Sequence, residues 1–160
     1  MTNSQEEYIK TIYILERNKE KVRVTDIAKK LNITKPSVNK AIKNLKDLEL
    51  VDYEVYGNIT LTKKGIEQAK EILKKQDILE TFLIGILDIE KGQAEKEAKL
   101  MKNVMSKESI DKMDNYISKL LDLGDLKCGY DQNKEKCRNC IKIKAIDRLK
   151  KAKKEEQECY

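Results

Sequence analysis

The stretch from Arg23 to Lys46 constrains the fold of this chain more than any other. Two short amphipathic patterns follow one another there, separated by a turn at Asn32 to Lys35. Thr25 can cap the first helix, and Asn32 tolerates the left-handed conformation that ends one. The second has Thr34 as a possible cap and Pro36 in its first turn. Its apolar side chains recur at helical spacing, at Val38, Ile42 and Leu45. The stretch therefore predicts a helix-turn-helix.

The outward side of the second predicted helix is polar and cationic. It carries hydroxyl, amide and ammonium groups and no carboxylate before Asp47, which suits contact with the phosphates and base edges of a DNA major groove. An ordinary amphipathic helix pair with a solvated lysine face would show the same pattern. If this helix contacts DNA, the predicted contacts are Thr34, Lys35, Ser37, Asn39, Lys40 and Lys43.

The next segment, residues 50–65, has the pattern of a β-hairpin. Apolar and polar residues alternate on both sides of a turn at Tyr56-Gly57-Asn58. A hairpin here makes residues 1–65 a winged helix-turn-helix, with Tyr56 and Asn58 as further DNA contacts. Thr62 then opens another helix, and Lys63 and Lys64 fall where a wing meets the DNA backbone.

Helical patterns flank this unit. Ser4 is predicted to cap a first helix that reaches about Arg17 and completes the small core. After the hairpin, a long helical pattern runs from Ile66 to Leu87, with a possible break at Lys74 to Asp77. Its end, ILETFLIGIL, is apolar enough to predict packing on a partner subunit.

Two more helices are predicted before the tail. They cover residues 93–105 and 107–123, and the second is capped by Ser106 and ended by Gly124. Residues 66–124 are thus predicted to form an all-helical second domain.

Composition sets broader limits. Of the 160 residues, 39% are charged and 39% hydrophobic, as in soluble helical proteins. The chain has no apolar run as long as a membrane span and no signal-peptide pattern at its N-terminus, so we expect it in the cytoplasm. A net charge of +6 permits a nucleic-acid partner. Without histidine, a nucleophile elbow or a glycine-rich phosphate loop, neither an enzyme nor a small-molecule substrate is expected.

The segments EEYIKTIYILE, TDIAKKLNITKPSVNKAIKNL, YEVYGNITLTKKG, KKQDILETFLIGILDI and EAKLMKNVMS occur in this order over residues 4 to about 124. The chain resembles the DtxR/MntR family of metal-dependent transcriptional repressors in these segments. The resemblance implies a mainly α fold, with a winged helix-turn-helix followed by an all-helical dimerisation domain. It also implies a homodimer that binds an operator palindrome in double-stranded DNA.

The resemblance implies metal-ligand positions that this chain has changed. The matching residues are Glu7, Lys10, Gln76, Glu80, Lys99, Lys102 and Asn103. Only Glu7 and Glu80 keep plausible oxygen ligands, lysines at three positions would repel a divalent cation, and the chain has no histidine. We infer that the family's metal site is lost. A site rebuilt from Glu7, Glu80 and Glu95 is the less favoured alternative.

The four cysteines lie together in the tail, residues 125–160. They are Cys128, Cys137, Cys140 and Cys159. Because a cytoplasmic location disfavours disulfides, we expect them to bind a metal centre as thiolates. An iron-sulfur cluster, [4Fe-4S] rather than [2Fe-2S], is favoured over four-cysteine zinc and over free or redox-switching thiols. The basic amphipathic pattern at 141–156 predicts a helix that returns Cys159 to this centre.

Together these features predict a homodimeric transcriptional repressor that senses iron-sulfur cluster, oxygen or redox status through the tail. One alternative is the same regulator with a structural zinc and an unknown effector. Another is an iron-sulfur scaffold protein that keeps the fold but does not bind DNA.

Overall fold

The computed structural model describes residues 2–18, 21–53 and 57–120, which form six helices and one short hairpin. In chain order the elements are α1 (Asn3–Asn18), α2 (Val24–Leu31), α3 (Lys35–Asp47), β1 (Val51–Tyr53), β2 (Ile59–Leu61), α4 (Lys63–Gly85), α5 (Lys91–Val104) and α6 (Lys107–Leu120). The predicted mainly α fold with a β-hairpin wing is confirmed. None of the helices within these ranges is long and apolar enough to cross a membrane.

The chain divides into two compact units, Met1–Lys74 and Lys75–Tyr160, and each unit has its own hydrophobic core. The division falls within α4. The domain limits predicted at residues 65 and 124 stay predictions. The tail, with its four cysteines and its predicted basic helix, lies outside the described residues.

The core of the first unit joins α1, α2, α3 and the hairpin. Its fully buried side chains come from each of these elements and include Ile9, Ile12, Ile27, Val38, Ile42, Leu45 and Ile59. Burying an aliphatic side chain of this size contributes roughly 1.5–3 kcal/mol to folding. The predicted role of the first helix, which is to complete the small core, is therefore confirmed.

Two predicted helix caps are wrong. At α1 the capping residue is Thr2 and not Ser4: Thr2 Oγ1 accepts from the Gln5 N–H at 3.3 Å, and Gln5 Oε1 accepts from the Thr2 N–H at 2.8 Å. At α2 the N-cap is Arg23, whose N–H donates to Asp26 Oδ2 at 2.9 Å. Thr25 lies inside the helix, because α2 has its N-cap two residues earlier, at Arg23.

The turn between α2 and α3 forms as predicted. Asn32 adopts the left-handed conformation with φ 54° and ends α2. Thr34 is the N-cap of α3, and Pro36 falls in the first turn. The Thr34 hydroxyl does not cap the backbone; it lies 2.9 Å from Ser37 Oγ.

The second unit has a separate core. It is built from α4, α5 and α6 by Ile78, Leu79, Leu83, Ala94, Ala98, Ile110 and Ile117. The predicted break is wrong, because α4 is continuous through Lys74 to Asp77. Ile78, Leu79 and Leu83 of the apolar run are buried in this core, whereas Leu87 is exposed, and packing of the run on a partner subunit stays a prediction. Ser106 does cap α6, since its Oγ accepts from the Ser109 N–H at 3.1 Å.

Candidate nucleic-acid interface

Packing of α3 fixes which side of the helix faces out. Val38, Ile42 and Leu45 are fully buried in the first core. The opposite side is exposed and carries Lys35, Ser37, Asn39, Lys40 and Lys43. The inward set arises from the helical spacing of the apolar residues, so the orientation of the polar set was predictable from the sequence.

The exposed side chains of α3 are available for an external partner. Those of Asn39, Lys40 and Lys43 make no hydrogen bond or ion pair with other residues in the described ranges. No acidic residue lies in the first turn of α3, where Lys35 adds a cation. The α3 face, which we define as Lys35, Ser37, Asn39, Lys40 and Lys43, therefore offers ammonium, hydroxyl and amide groups to a ligand with acceptor atoms and negative charge.

Two lysines beside this face are engaged with the protein itself. Lys46 Nζ donates to the Tyr53 carbonyl at 3.0 Å and ties α3 to β1. Lys64 Nζ donates to the Leu48 carbonyl at 3.0 Å and lies 3.5 Å from a Glu49 carboxylate oxygen. Lys64 thus bonds to the segment between α3 and β1, whereas Lys63 is exposed.

The hairpin pairs β1 and β2 antiparallel, with Val51 opposite Leu61 and Tyr53 opposite Ile59. Asn58, a predicted DNA contact, is half-buried, and its Oδ1 accepts from the Val22 N–H at 2.7 Å. That oxygen therefore holds the start of β2 against the segment before α2. Tyr56, the other predicted wing contact, lies outside the described residues.

A carboxylate that sequence reasoning missed anchors the hairpin to α1. Glu16 Oε1 accepts from the Leu61 N–H at 2.9 Å. Burial raises the pKa of this carboxyl, and the hydrogen bond from Leu61 opposes that rise. The contact joins residues 45 positions apart, so no local pattern could have indicated it.

The junction between the hairpin and α4 is tightly bonded. Thr62 Oγ1 donates to the Glu49 carbonyl at 2.8 Å and accepts from the Gly65 N–H at 3.0 Å. The Thr62 N–H donates to the Leu50 carbonyl at 3.1 Å. A Cβ on Gly65 would lie 2.0 Å from that Leu50 oxygen, so this close approach requires glycine.

Two family models match the chain in consecutive segments. The iron dependent repressor N-terminal DNA-binding domain matches residues 1–59, and the iron dependent repressor metal-binding and dimerisation domain matches residues 62–121. The chain belongs to the iron-dependent repressor family. It therefore carries a DNA-binding domain and a dimerisation domain, and its partners are operator DNA and a second copy of itself.

Named relatives agree with this assignment. The chain is 36% identical over 123 residues to an uncharacterized HTH-type transcriptional regulator of Methanocaldococcus jannaschii, a match that covers 76% of this chain and 98% of the relative. It is 34% identical over 116 residues to the transcriptional regulator MntR of Listeria welshimeri, covering 72% of this chain and 81% of that one. Among solved structures, the manganese regulator SloR matches with a TM-score of 0.65 and 29% identity, over 74% of this chain and 55% of SloR. The chain thus spans about half the length of SloR.

The side chains at the positions that the resemblance assigns to the family's metal ligands do not fit a divalent cation in this chain. Lys10 Nζ lies 2.7 Å from Glu7 Oε1, and Gln76 Nε2 donates to Glu80 Oε1 at 2.6 Å. Asn103 Nδ2 donates to the backbone carbonyl of Lys99 at 3.0 Å. Three of these seven residues, Lys10, Gln76 and Asn103, are therefore donors bonded to their own helix, in places where a cation needs acceptors.

A rebuilt carboxylate site is not formed within either unit. Glu95 is exposed and lies 3.9 Å from Lys91 Nζ on its own helix. Within the described ranges, no three Asp, Glu, Cys or His side chains form a group that could hold a metal ion. The four cysteines are not among those residues.

Proposed function

We propose that this member of the family is a cytoplasmic repressor that reads its operator with the α3 face of each subunit in a homodimer. The proposed contacts are Thr34, Lys35, Ser37, Asn39, Lys40 and Lys43, with Tyr56 and Asn58 from the wing. The observation that carries the proposal is that α3 buries one side completely in the first core while Asn39, Lys40 and Lys43 project from the other side without a partner among the described residues.

Charge supports the same interface. Residues 1–65 hold thirteen Lys or Arg and nine Asp or Glu, whereas residues 66–124 hold ten Lys or Arg and twelve Asp or Glu. The DNA-binding half is therefore net positive, and the dimerisation half is net negative. Cations at a DNA-facing surface strengthen binding by releasing counterions from the phosphates.

Selection from a pool of random DNA duplexes tests this proposal directly. We expect the full chain to enrich an inverted repeat whose half-sites lie about one helical turn, roughly 10 base pairs, apart, because a two-fold dimer presents two equivalent α3 helices. Sequencing of the retained duplexes gives the result. Enrichment of no sequence, or of an unrepeated one, would refute a dimer that reads a palindrome.

We further propose that the effector centre is in the tail. Four cysteines within residues 128–159 and the absence of histidine from the chain favour a centre bound by Cys128, Cys137, Cys140 and Cys159. An iron-sulfur cluster, most simply [4Fe-4S], takes four thiolates and would report iron, oxygen or redox status. A structural four-cysteine zinc site is the second candidate, favoured by the same ligands.

Absorption spectra of the chain purified without oxygen, with iron, zinc and acid-labile sulfide measured on the same sample, separate these candidates. We expect broad visible absorbance with about equal iron and sulfide, as in clusters of this type, and loss of both in Cys137→Ala. Lys127→Ala, which removes a neighbouring cation and no thiol, serves as the matched control and should keep the cluster. A colourless chain with one zinc would assign the tail a structural role.

A further inference from the structure

The ion pair between Lys10 and Glu7 differs from an ordinary surface pair. Its atoms are 2.7 Å apart, and only 11% of the Lys10 side chain is exposed. For comparison, the Lys112–Glu108 pair has a similar distance, 2.8 Å, but both side chains are about three-quarters exposed. Because water screens the Lys10 ammonium poorly, its charge-assisted bond to Glu7 is the stronger of the two.

A second pair repeats this arrangement in the other unit. Gln76 Nε2 donates to Glu80 Oε1 at 2.6 Å, and both side chains are half-buried. In each pair the donor is the residue that replaces a family ligand, and the acceptor is the carboxylate that remains. The two substitutions therefore satisfy the retained carboxylates without a metal ion.

These donors also exclude a metal ion. A divalent cation at Glu7 would have to displace an ammonium from its carboxylate and then remain beside that positive charge in a poorly hydrated place. We infer that Lys10 is a built-in cation at Glu7, and that this repressor binds its operator without any divalent metal ion at the family's metal positions.

The contacts that hold the recognition helix need no ligand either. Helix α1 is joined to the hairpin by the bond from the Leu61 N–H to Glu16, and it is packed against α2 and α3 through Ile9 and Ile12. All these contacts lie inside the first unit and involve only protein atoms. The position of α3 relative to α1 is therefore set by contacts between protein atoms.

Titration of the chelator-treated full chain with Mn²⁺ tests the inference without DNA. Mn²⁺ is the suitable probe because it prefers oxygen and nitrogen ligands to thiolates, so the tail cysteines compete weakly for it. We expect the electron paramagnetic resonance signal of free Mn²⁺ to be undiminished by the protein up to millimolar metal. Binding of one Mn²⁺ per chain would overturn the inference.

Replacing the ammonium tests the role of Lys10 itself. In Lys10→Glu, two carboxylates face each other one turn apart, so we expect a lower thermal midpoint and a partial recovery on adding Mn²⁺, with no such recovery in the wild-type chain. Lys112→Glu makes the same change in the exposed pair. In that variant we expect neither a lower thermal midpoint nor an effect of Mn²⁺ on the midpoint. If Lys10→Glu folds and its thermal midpoint does not change with Mn²⁺, Lys10 is not the residue that excludes the ion. If Lys10→Glu does not fold, the Mn²⁺ titration of the wild-type chain tests the inference.

The DNA measurement rests on the proposed function and is kept separate. For the selected operator, we expect the dissociation constant to agree within about twofold between excess chelator and Mn²⁺. An affinity gain of about tenfold with Mn²⁺ would overturn the inference while supporting operator binding. Absence of operator binding under both conditions would refute the proposed function and leave the Mn²⁺ titration as the test.

Discussion

Gly65→Ala is expected to unfold the DNA-binding unit at temperatures where the wild-type chain is stable. The new Cβ would lie 2.0 Å from the Leu50 carbonyl oxygen and 3.1 Å from its carbon, which are backbone atoms that cannot rotate away. That carbonyl also accepts from the Thr62 N–H, so any shift breaks the junction between the hairpin and α4. We expect a loss of about 4 kcal/mol in unfolding free energy, at the upper end for single substitutions. Thermal denaturation followed by circular dichroism measures it.

Gly92→Ala is the matched control. A Cβ there would meet Glu90 Oε2 at 3.1 Å, at the end of an exposed side chain that caps α5 by accepting from the Gly92 and Gln93 N–H groups. The better helix propensity of alanine offsets a small shift of this cap, so Gly92→Ala should change the midpoint by only a few degrees. If Gly65→Ala melts within a few degrees of Gly92→Ala, the Leu50 backbone is free to move and the junction is not rigid.

The features that were predictable from the sequence have local causes. Val38, Ile42 and Leu45 share one side of α3 because a helix repeats every 3.6 residues, and all three are buried. Asn32 ends α2 because its side chain tolerates the left-handed conformation. The hairpin likewise follows from alternation around a turn.

The features that were missed depend on the direction of the chain or on distant contacts. Thr25 and Asp26 are both residue types that occur at the start of a helix. Only the path of the backbone shows that Arg23 is the N-cap of α2 and that the Asp26 carboxylate accepts from the Arg23 N–H. The residues that cover part of the apolar end of α4 within its own chain, Ala94, Ala98, Ile110 and Ile117, are spread over two later helices. A sequence shows how apolar a segment is but not which segment will cover it.

The candidate interface shows the same division. Exposure of Asn39 and Lys40 follows from helical periodicity, which is local. The use of Lys46, Lys64 and Asn58 in bonds to backbone atoms follows from contacts across 7, 16 and 36 residues, respectively. By residue type alone Lys46 and Lys64 resemble the lysines of the α3 face, and only the tertiary structure shows that their ammonium groups, like the Asn58 side-chain oxygen, are bonded to the backbone.

The combined substitution Asn39→Ala with Lys40→Ala is expected to abolish sequence-specific binding of the selected operator. A good side-chain contact to a base edge contributes about 1–3 kcal/mol of discrimination, so losing two costs roughly a hundredfold or more in affinity for the operator. Residual affinity should resemble that for an unrelated duplex, because the remaining lysines still attract phosphates. Fluorescence anisotropy with both duplexes at several salt concentrations measures the two terms separately.

A structural effect of these substitutions is separable from a DNA effect. Both side chains are exposed and have no partner among the described residues, so the unfolding free energy should change by less than about 0.5 kcal/mol. Lys70→Ala removes an equally exposed cation from α4 and should leave operator affinity almost unchanged. Lys43→Ala should reduce the slope of log affinity against log salt by about one if Lys43 contacts a phosphate. If the double variant binds the operator as well as Lys70→Ala does, α3 is not the helix that reads the operator.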